Sequence, residues 1–246
     1  MKNQTKQFLI IAFLLGYLCF GIIAFSNIVF SDILSNPLYL FLLTLGFLSP
    51  FISSFIVYIL NKKELGGFPG FIDNFKFVKS KKSIILVFVL LVAHYGFGII
   101  LKNVGAYGNV LDFFKYLPIM IVFLGSQEIG WRKLVQPNFE KEKGFYKSIL
   151  ITGLFWSLWF LPLIFIRGFV ILPQSYGQFA AYLVGISFLL TTMYKSSKSI
   201  LYAVLLSSLI FALTPVISLK QGYMLLAIAI LEALVASTLR NKEFNT

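Results

Sequence analysis

Residues 7–31 read QFLIIAFLLGYLCFGIIAFSNIVFS and contain no charged side chain. A helix needs about 20 mostly apolar residues to cross the hydrocarbon core of a bilayer. Hydrocarbon admits only helices and closed barrels, and a run of this length exceeds a barrel strand. Lys2 and Lys6 precede the run, and no small-residue cleavage site follows it. We therefore interpret it as a retained transmembrane helix and not as a signal peptide.

Runs of the same kind recur along the chain. Apolar residues make up 59% of the 246 residues, and charged residues only 12%. Soluble domains carry roughly 25% charge, so this composition argues against a soluble enzyme or a disordered chain. We predict an all-α membrane protein, a single polytopic domain over residues 1–246 with about eight transmembrane helices. The predicted spans are 7–31, 33–61, 83–101, 113–131, 148–166, 176–194, 199–219 and 221–239.

The distribution of the basic residues predicts the orientation in the membrane. The net charge is +12, but Lys and Arg occur in short clusters between the apolar runs, which argues against a nucleic-acid partner. Eight spans put both termini on one side, together with all but four of the 21 basic residues. The four exceptions are Lys102, Lys115, Arg167 and Lys220. By the positive-inside rule, the N- and C-termini are cytoplasmic and the bilayer is the main partner.

Three ionisable residues lie clearly within the predicted spans, namely His94, Glu128 and Glu232, whereas Lys115 lies at the very start of the fourth. Such residues are costly in hydrocarbon, so each is a candidate functional group. At about 1.5 Å per residue, His94 and Glu232 lie at similar depth near the midplane and form a candidate polar pair. The alternatives are a core histidine bonded to a carbonyl or a tyrosine and a structural carboxyl. No Cys or His cluster has metal-ligand spacing, and we predict no metal or cofactor.

Residues 127–132 read QEIGWR, in which Glu128 and Arg132 are four apart and share a helix face. Residues 153–162 read GLFWSLWFLP, and residues 199–211 read SILYAVLLSSLIF. Together these blocks resemble the motifs of the CPBP family, the CAAX-protease and bacteriocin-processing (Abi) proteins. The resemblance spans residues 113–215 and implies a CAAX-protease-like helix bundle in a bacterial cytoplasmic membrane.

The resemblance also implies a catalytic site, and this chain departs from it. The family's motifs provide a glutamate and a histidine that activate water, and a histidine and an asparagine that stabilise the tetrahedral intermediate. The corresponding residues here are Gln127, Phe160, Ser207 (or Ser208, because the register is loose) and Phe211. An amide is not a general base at neutral pH, and phenylalanine neither moves a proton nor binds an oxyanion.

Glu128 and Arg132 are retained from the first motif, and the resemblance places Trp131, Trp156 and Trp159 along the pocket. The favoured function is a non-catalytic pseudoprotease that binds another membrane protein or a hydrophobic or lipidated peptide. Its role would be bacteriocin immunity, peptide signalling or envelope regulation. One alternative is an active CAAX-type intramembrane endopeptidase. Another is a small proton-coupled transporter that uses His94 and Glu232 as a relay.

Overall fold

The computed structural model describes residues 2–169, 176–219 and 223–244. Helices account for nearly all of this part of the chain. They are α1 (Asn3–Phe25), α2 (Phe30–Ile33), α3 (Pro37–Leu60), α4 (Lys62–Leu65), α5 (Gly67–Ile72), α6 (Lys81–Ile100), α7 (Val110–Met120), α8 (Gln136–Lys143), α9 (Phe145–Phe160), α10 (Tyr176–Ser197), α11 (Ile200–Leu213) and α12 (Tyr223–Phe244). Two π-helical segments, Ile121–Gly125 and Ile129–Val135, lie between α7 and α8.

The apolar runs form the long helices, which confirms the predicted all-α multi-pass fold. Within the described residues, six helical stretches are long and apolar enough to cross a membrane. One of them covers Val110–Lys143 and includes α7, both π-helical segments and α8. Two shorter apolar helices, Ile200–Leu213 and Ala227–Leu239, correspond to the seventh and eighth predicted spans.

The outer face of the bundle is apolar, as expected for a surface in contact with lipid. On α1, the exposed fractions of Ile10, Leu14 and Leu18 are 65%, 71% and 59%. Residues four apart lie on one helix face, so these side chains form a stripe along the helix. A continuous exposed apolar surface of this kind is typical of a protein surrounded by a bilayer.

Small and hydroxyl side chains hold α1 and α3 close together. Ser49 Oγ donates to the Ala12 carbonyl at 3.0 Å, and Ser53 Oγ donates to the Phe8 carbonyl at 2.7 Å. A Cβ on Gly46 would lie 2.3 Å from the ring of Phe20, so only glycine allows this approach. Close backbone packing and interhelical hydrogen bonds replace the hydrophobic effect between helices in lipid.

The connection between α3 and α6 packs onto the bundle. Phe71 on α5 is buried against the rings of Phe55 and Tyr58. Further along, the Tyr202 hydroxyl donates to the Val78 carbonyl at 2.7 Å and accepts from the Ser80 amide at 3.1 Å. These bonds tie the end of the connection to the first turns of α11.

At the opposite end of the bundle, two short strands join the loop after α6 to the end of the seventh predicted span. β1 (Val104–Tyr107) pairs antiparallel with β2 (Ile217–Leu219). The seventh predicted span is therefore too long, because α11 ends at Leu213 and the chain continues as a strand. The Gly108 amide also donates to the Val216 carbonyl at 2.8 Å, so the sheet links the start of α7 to the end of α11.

Candidate functional site

The first motif lies where the fourth spanning helix changes from α to π geometry. The Ser126 amide bonds to the Ile121 carbonyl at 3.0 Å, a bond across five residues. The second π-helical segment, Ile129–Val135, follows Glu128 directly. Such segments occur frequently at functional sites, because the wider turn re-aims the side chains around it.

Gln127 is fully buried, and its amide is hydrogen-bonded on both sides. Its Nε2 donates to the carbonyls of Phe123 at 2.6 Å and Phe47 at 3.1 Å, and its Oε1 accepts from Trp156 Nε1 at 3.2 Å. An indole N–H only donates, which fixes the orientation of the amide. A carboxylate in this place would have an oxygen facing two carbonyl oxygens, so the surroundings fit glutamine and not an ionised glutamate.

The two phenylalanines at motif positions pack around the same tryptophan. The ring centroids of Phe160 and Phe211 lie 6.2 and 6.1 Å from the ring of Trp156. Phe160 also contacts Trp159 at 4.8 Å and Phe179 at 5.5 Å and is 5% exposed. The structure thus brings three of the four positions that correspond to the family's motifs, Gln127, Phe160 and Phe211, together at Trp156. We call the rings of Trp156, Trp159, Phe160, Phe179 and Phe211 the aromatic cluster.

The two other tryptophans, Trp131 and Trp159, belong to the same hydrophobic core. Trp159 Nε1 donates to Ser49 Oγ at 3.0 Å, and Trp131 packs edge-on against Phe8 at 5.1 Å. All three tryptophans are fully buried. They join this cluster to α1 and α3.

The third motif lies on α11, where both candidate serines are fully buried. Ser208 Oγ donates to the Val204 carbonyl at 2.7 Å, an ordinary bond within the helix. A Cβ on Gly125 would lie 2.4 Å from Ser208 Oγ, so α11 packs tightly against the first π-helical segment. Ser207 Oγ is buried and has no hydrogen-bond partner within the described part of the chain.

Glu128 and Arg132 form a fully buried ion pair. Arg132 Nε lies 2.7 Å from Glu128 Oε2, and both side chains have no exposed surface. Arg132 Nη1 also donates to Ser187 Oγ on α10 at 2.7 Å, and its guanidinium lies 5.9 Å from the centroid of the Trp156 ring. The sequence predicted the pair from its spacing and missed Ser187. The sequence does contain a signal for this contact: Ser187 and Thr191 place two hydroxyls four residues apart, on one helix face, within an apolar run.

Four buried polar atoms near this ion pair have no hydrogen-bond partner among the described residues. They are Glu128 Oε1, Trp131 Nε1, Arg132 Nη2 and Gln136 Nε2. All four belong to one nine-residue stretch, 128–136. Buried polar groups are nearly always paired, and groups that are not call for an explanation such as a bound polar molecule. The first motif therefore keeps a polar character that the aromatic cluster lacks.

The second polar cluster is built around His94 on α6. His94 Nδ1 hydrogen-bonds to Glu232 Oε1 on α12, and Nε2 lies 3.1 Å from the hydroxyl of Tyr182 on α10. His94 and Glu232 have no exposed surface. A Cβ on Gly185 would lie 2.3 Å from Glu232 Oε2, so this glycine makes room for the carboxyl. His94 is not part of the aromatic cluster around Trp156. Its described ring and hydrogen-bond contacts are with Tyr95, Tyr182 and Glu232.

Metal-ligating side chains do not converge in the described ranges. No three His, Cys, Asp or Glu side chains among them lie close enough together to hold an ion.

Comparisons with known proteins agree with the motifs. The family model described as Type II CAAX prenyl endopeptidase Rce1-like matches residues 109–210, a range that includes Gln127, Phe160 and Ser207 and ends one residue before Phe211. The protein named CAAX prenyl protease 2 from Methanococcus maripaludis is 28% identical over 192 residues, which cover 70% of this chain and 71% of that protein. The chain is therefore similar to Rce1-like CAAX prenyl endopeptidases over residues 109–210, and to this CAAX prenyl protease 2 over 70% of its length.

Proposed function

We propose that this protein is a member of the CPBP family and a non-catalytic one, a pseudoprotease that binds a membrane partner or a hydrophobic peptide. The observation that carries the proposal is the aromatic cluster around Trp156, where Gln127 is bonded as an amide and Phe160 and Phe211 are packed as rings. Gln127 is not a general base at neutral pH, and neither Phe160 nor Phe211 accepts a proton or ligates a metal.

The environment of each position supports the same proposal. Gln127 donates to two backbone carbonyls, a role that an ionised glutamate cannot take. Phe160 contacts aromatic rings on three sides, so its position is adapted to an apolar side chain. A lost oxyanion donor typically costs about 10²–10³ in kcat, and Phe211 offers no donor.

The biological setting follows from the family and the charge distribution. Bacteriocin immunity, peptide signalling and regulation of an envelope enzyme are roles assigned by family analogy. The excess of basic residues on one side supports a protein of the bacterial cytoplasmic membrane with both termini in the cytoplasm. The apolar outer face gives a transmembrane partner a continuous surface to bind.

A restoration experiment tests the loss of catalysis. The quadruple variant Gln127→Glu, Phe160→His, Ser207→His, Phe211→Asn and the wild type are purified in detergent and incubated with fluorogenic prenylated and hydrophobic peptides. We expect no cleavage by the wild type. Acid–base groups contribute about 10²–10⁴ where the site accommodates them, so a rate at least about 10² above background in the variant would show that the catalytic scaffold persists.

The Methanococcus relative serves as a positive control for the peptide panel, and a thermal unfolding scan shows that the variant is folded. A triple variant that keeps Gln127 serves as the matched control and should remain inactive, because it lacks the base. Cleavage by the wild type would overturn the proposal. A folded, inactive quadruple variant would contradict the idea that the family's catalytic scaffold persists.

A second candidate, an active endopeptidase, is favoured by the unpaired Glu128 Oε1 beside the unpaired Arg132 Nη2. In that case Glu128→Gln would abolish wild-type cleavage. Because this change also leaves the buried Arg132 cation without its counter-charge, the amount of folded protein is measured alongside cleavage. The ion pair between Glu128 Oε2 and Arg132 opposes this role, because a paired carboxylate is a weaker base. We therefore expect Glu128→Gln and the wild type to be equally inactive on the same peptides.

A further inference from the structure

A cavity of about 110 Å³ lies at the start of α11, away from the aromatic cluster around Trp156. Lys76, from the connection between α3 and α6, Lys133, from the end of the spanning helix, and Lys198, from the turn before α11, line it. Three segments distant in sequence thus bring basic side chains to one small cavity.

The charge of the cavity is only partly neutralised. Asp73 lines it as well and pairs with Lys76 at 2.8 Å. Lys133 is half-buried, with its Nζ 5.6 Å from the ring centroid of Tyr194. Among the ion pairs of the described residues, no carboxylate contacts Lys133 or Lys198. The three lysines and one aspartate therefore leave an excess of two positive charges at the cavity.

The N-terminus of α11 adds a polar group that lacks a partner. Ser199 is the N-cap residue of this 14-residue helix, yet its side chain makes no capping hydrogen bond. Ser199 is 4% exposed and lines the cavity, and its hydroxyl has no hydrogen-bond partner among the described residues. A buried hydroxyl without a partner is costly, so it points to an acceptor supplied by a ligand. The positive end of the helix dipole favours an anion at this place.

The surroundings of the cavity connect it with the membrane surface. Phe77 and Val78, which precede α6, are 59% and 50% exposed although both are apolar. The bond from Tyr202 to the Val78 carbonyl holds this segment beside Ser199. Exposed apolar side chains next to lysines are typical of a surface that contacts acyl chains and anionic headgroups together.

We propose that this cavity, named here the α11 anion site, binds a phosphate group, and specifically the headgroup phosphate of an anionic phospholipid. Lys133 and Lys198 neutralise the phosphate, and the Ser199 hydroxyl donates a hydrogen bond to one of its oxygens. Phe77 and Val78 contact the acyl chains. The proposal is independent of whether the family's protease chemistry persists, because none of these residues belongs to the degenerate motif positions.

The test measures lipid binding by the full-length, delipidated protein in detergent, with short-chain phosphatidylglycerol as the probe, phosphatidylcholine as the zwitterionic comparison and inorganic phosphate as the lipid-free comparison. Hydrogen bonds to charged groups contribute about 1.5–3 kcal/mol, and 1.4 kcal/mol is tenfold in affinity. We expect Lys133→Gln with Lys198→Gln to weaken phosphatidylglycerol binding by at least about tenfold. Ser199→Ala should weaken it by a smaller factor, about threefold or more.

The matched control is Lys141→Gln with Lys143→Gln, which removes two exposed lysines from α8 and leaves the cavity intact. This control should bind phosphatidylglycerol within about twofold of the wild type. An equal loss in the control would overturn the site in favour of general surface charge. Equal binding of phosphatidylcholine would overturn the requirement for an anion. Inorganic phosphate that binds as tightly as the lipid would overturn the lipid as the source and leave a free phosphate as the ligand.

Discussion

Arg132→Met is expected to lower the free energy of unfolding by about 3–5 kcal/mol, because it leaves the carboxylate of Glu128 buried without its partner. Ser187 loses its hydrogen bond from Arg132 Nη1 in the same change. The measurement is a titration of the detergent-solubilised protein with sodium dodecyl sulfate, followed by tryptophan fluorescence. Trp156, whose ring lies beside the guanidinium, makes this signal sensitive to the site.

A second variant separates the pair from the individual residues. Glu128→Leu with Arg132→Met removes both charges and should regain most of the stability, because a buried pair is often replaced by apolar residues at little cost. Arg167→Met is the matched control, since Arg167 is exposed and should change stability by less than about 0.5 kcal/mol. A double variant as unstable as Arg132→Met would show that the two side chains act separately and not as a pair.

Much of the fold could be predicted from the positions of charged residues. Apolar runs longer than a bilayer requires predict spanning helices directly, since lipid leaves the backbone no other choice. The ends of the helices depend on local features. The second span begins at Pro37 because the Asn36 side chain caps its first amides. The pairing of Val104 with Leu219 could not be predicted, because a contact between distant loops leaves no local pattern.

The residues of the candidate site could be proposed from the sequence, whereas their contacts could not. Motif spacing identified Gln127, Phe160 and Phe211 as corresponding positions, and the structure brings them together at Trp156. The bonds of Gln127 to the carbonyls of Phe47 and Phe123 involve backbone atoms, for which the sequence carries no signal. The π-helical segments change which side chains face the core. They do not change the apolar pattern of the sequence, so the sequence does not predict them.

For the cluster around His94, the sequence likewise predicted the depth of two residues but not all of their contacts. Counting residues from the nearest charge put His94 and Glu232 at similar depth, and the structure shows them hydrogen-bonded. Tyr182 completes the cluster from α10, a helix that the counting did not involve. The glycine at 185 matters for this cluster because it leaves space for the carboxyl. Three helices, α6, α10 and α12, therefore meet at one polar group.

His94→Ala is expected to destabilise the protein by about 3–5 kcal/mol, because the Glu232 carboxyl stays buried and loses its partner. Val92→Ala, on the lipid-exposed face of the same helix, serves as the control and should change stability little. His94→Leu with Glu232→Leu should recover most of the loss, since it removes both polar groups. If the pair is structural, this apolar double variant should still fold and insert into the membrane. A wild-type protein that carries protons across proteoliposomes, and loses this flux in His94→Ala, would instead assign the pair to transport. The free energy of unfolding and the proton flux, measured on the same three variants, therefore decide between two roles. In one the pair is structural and holds three helices together, and in the other it is a proton relay.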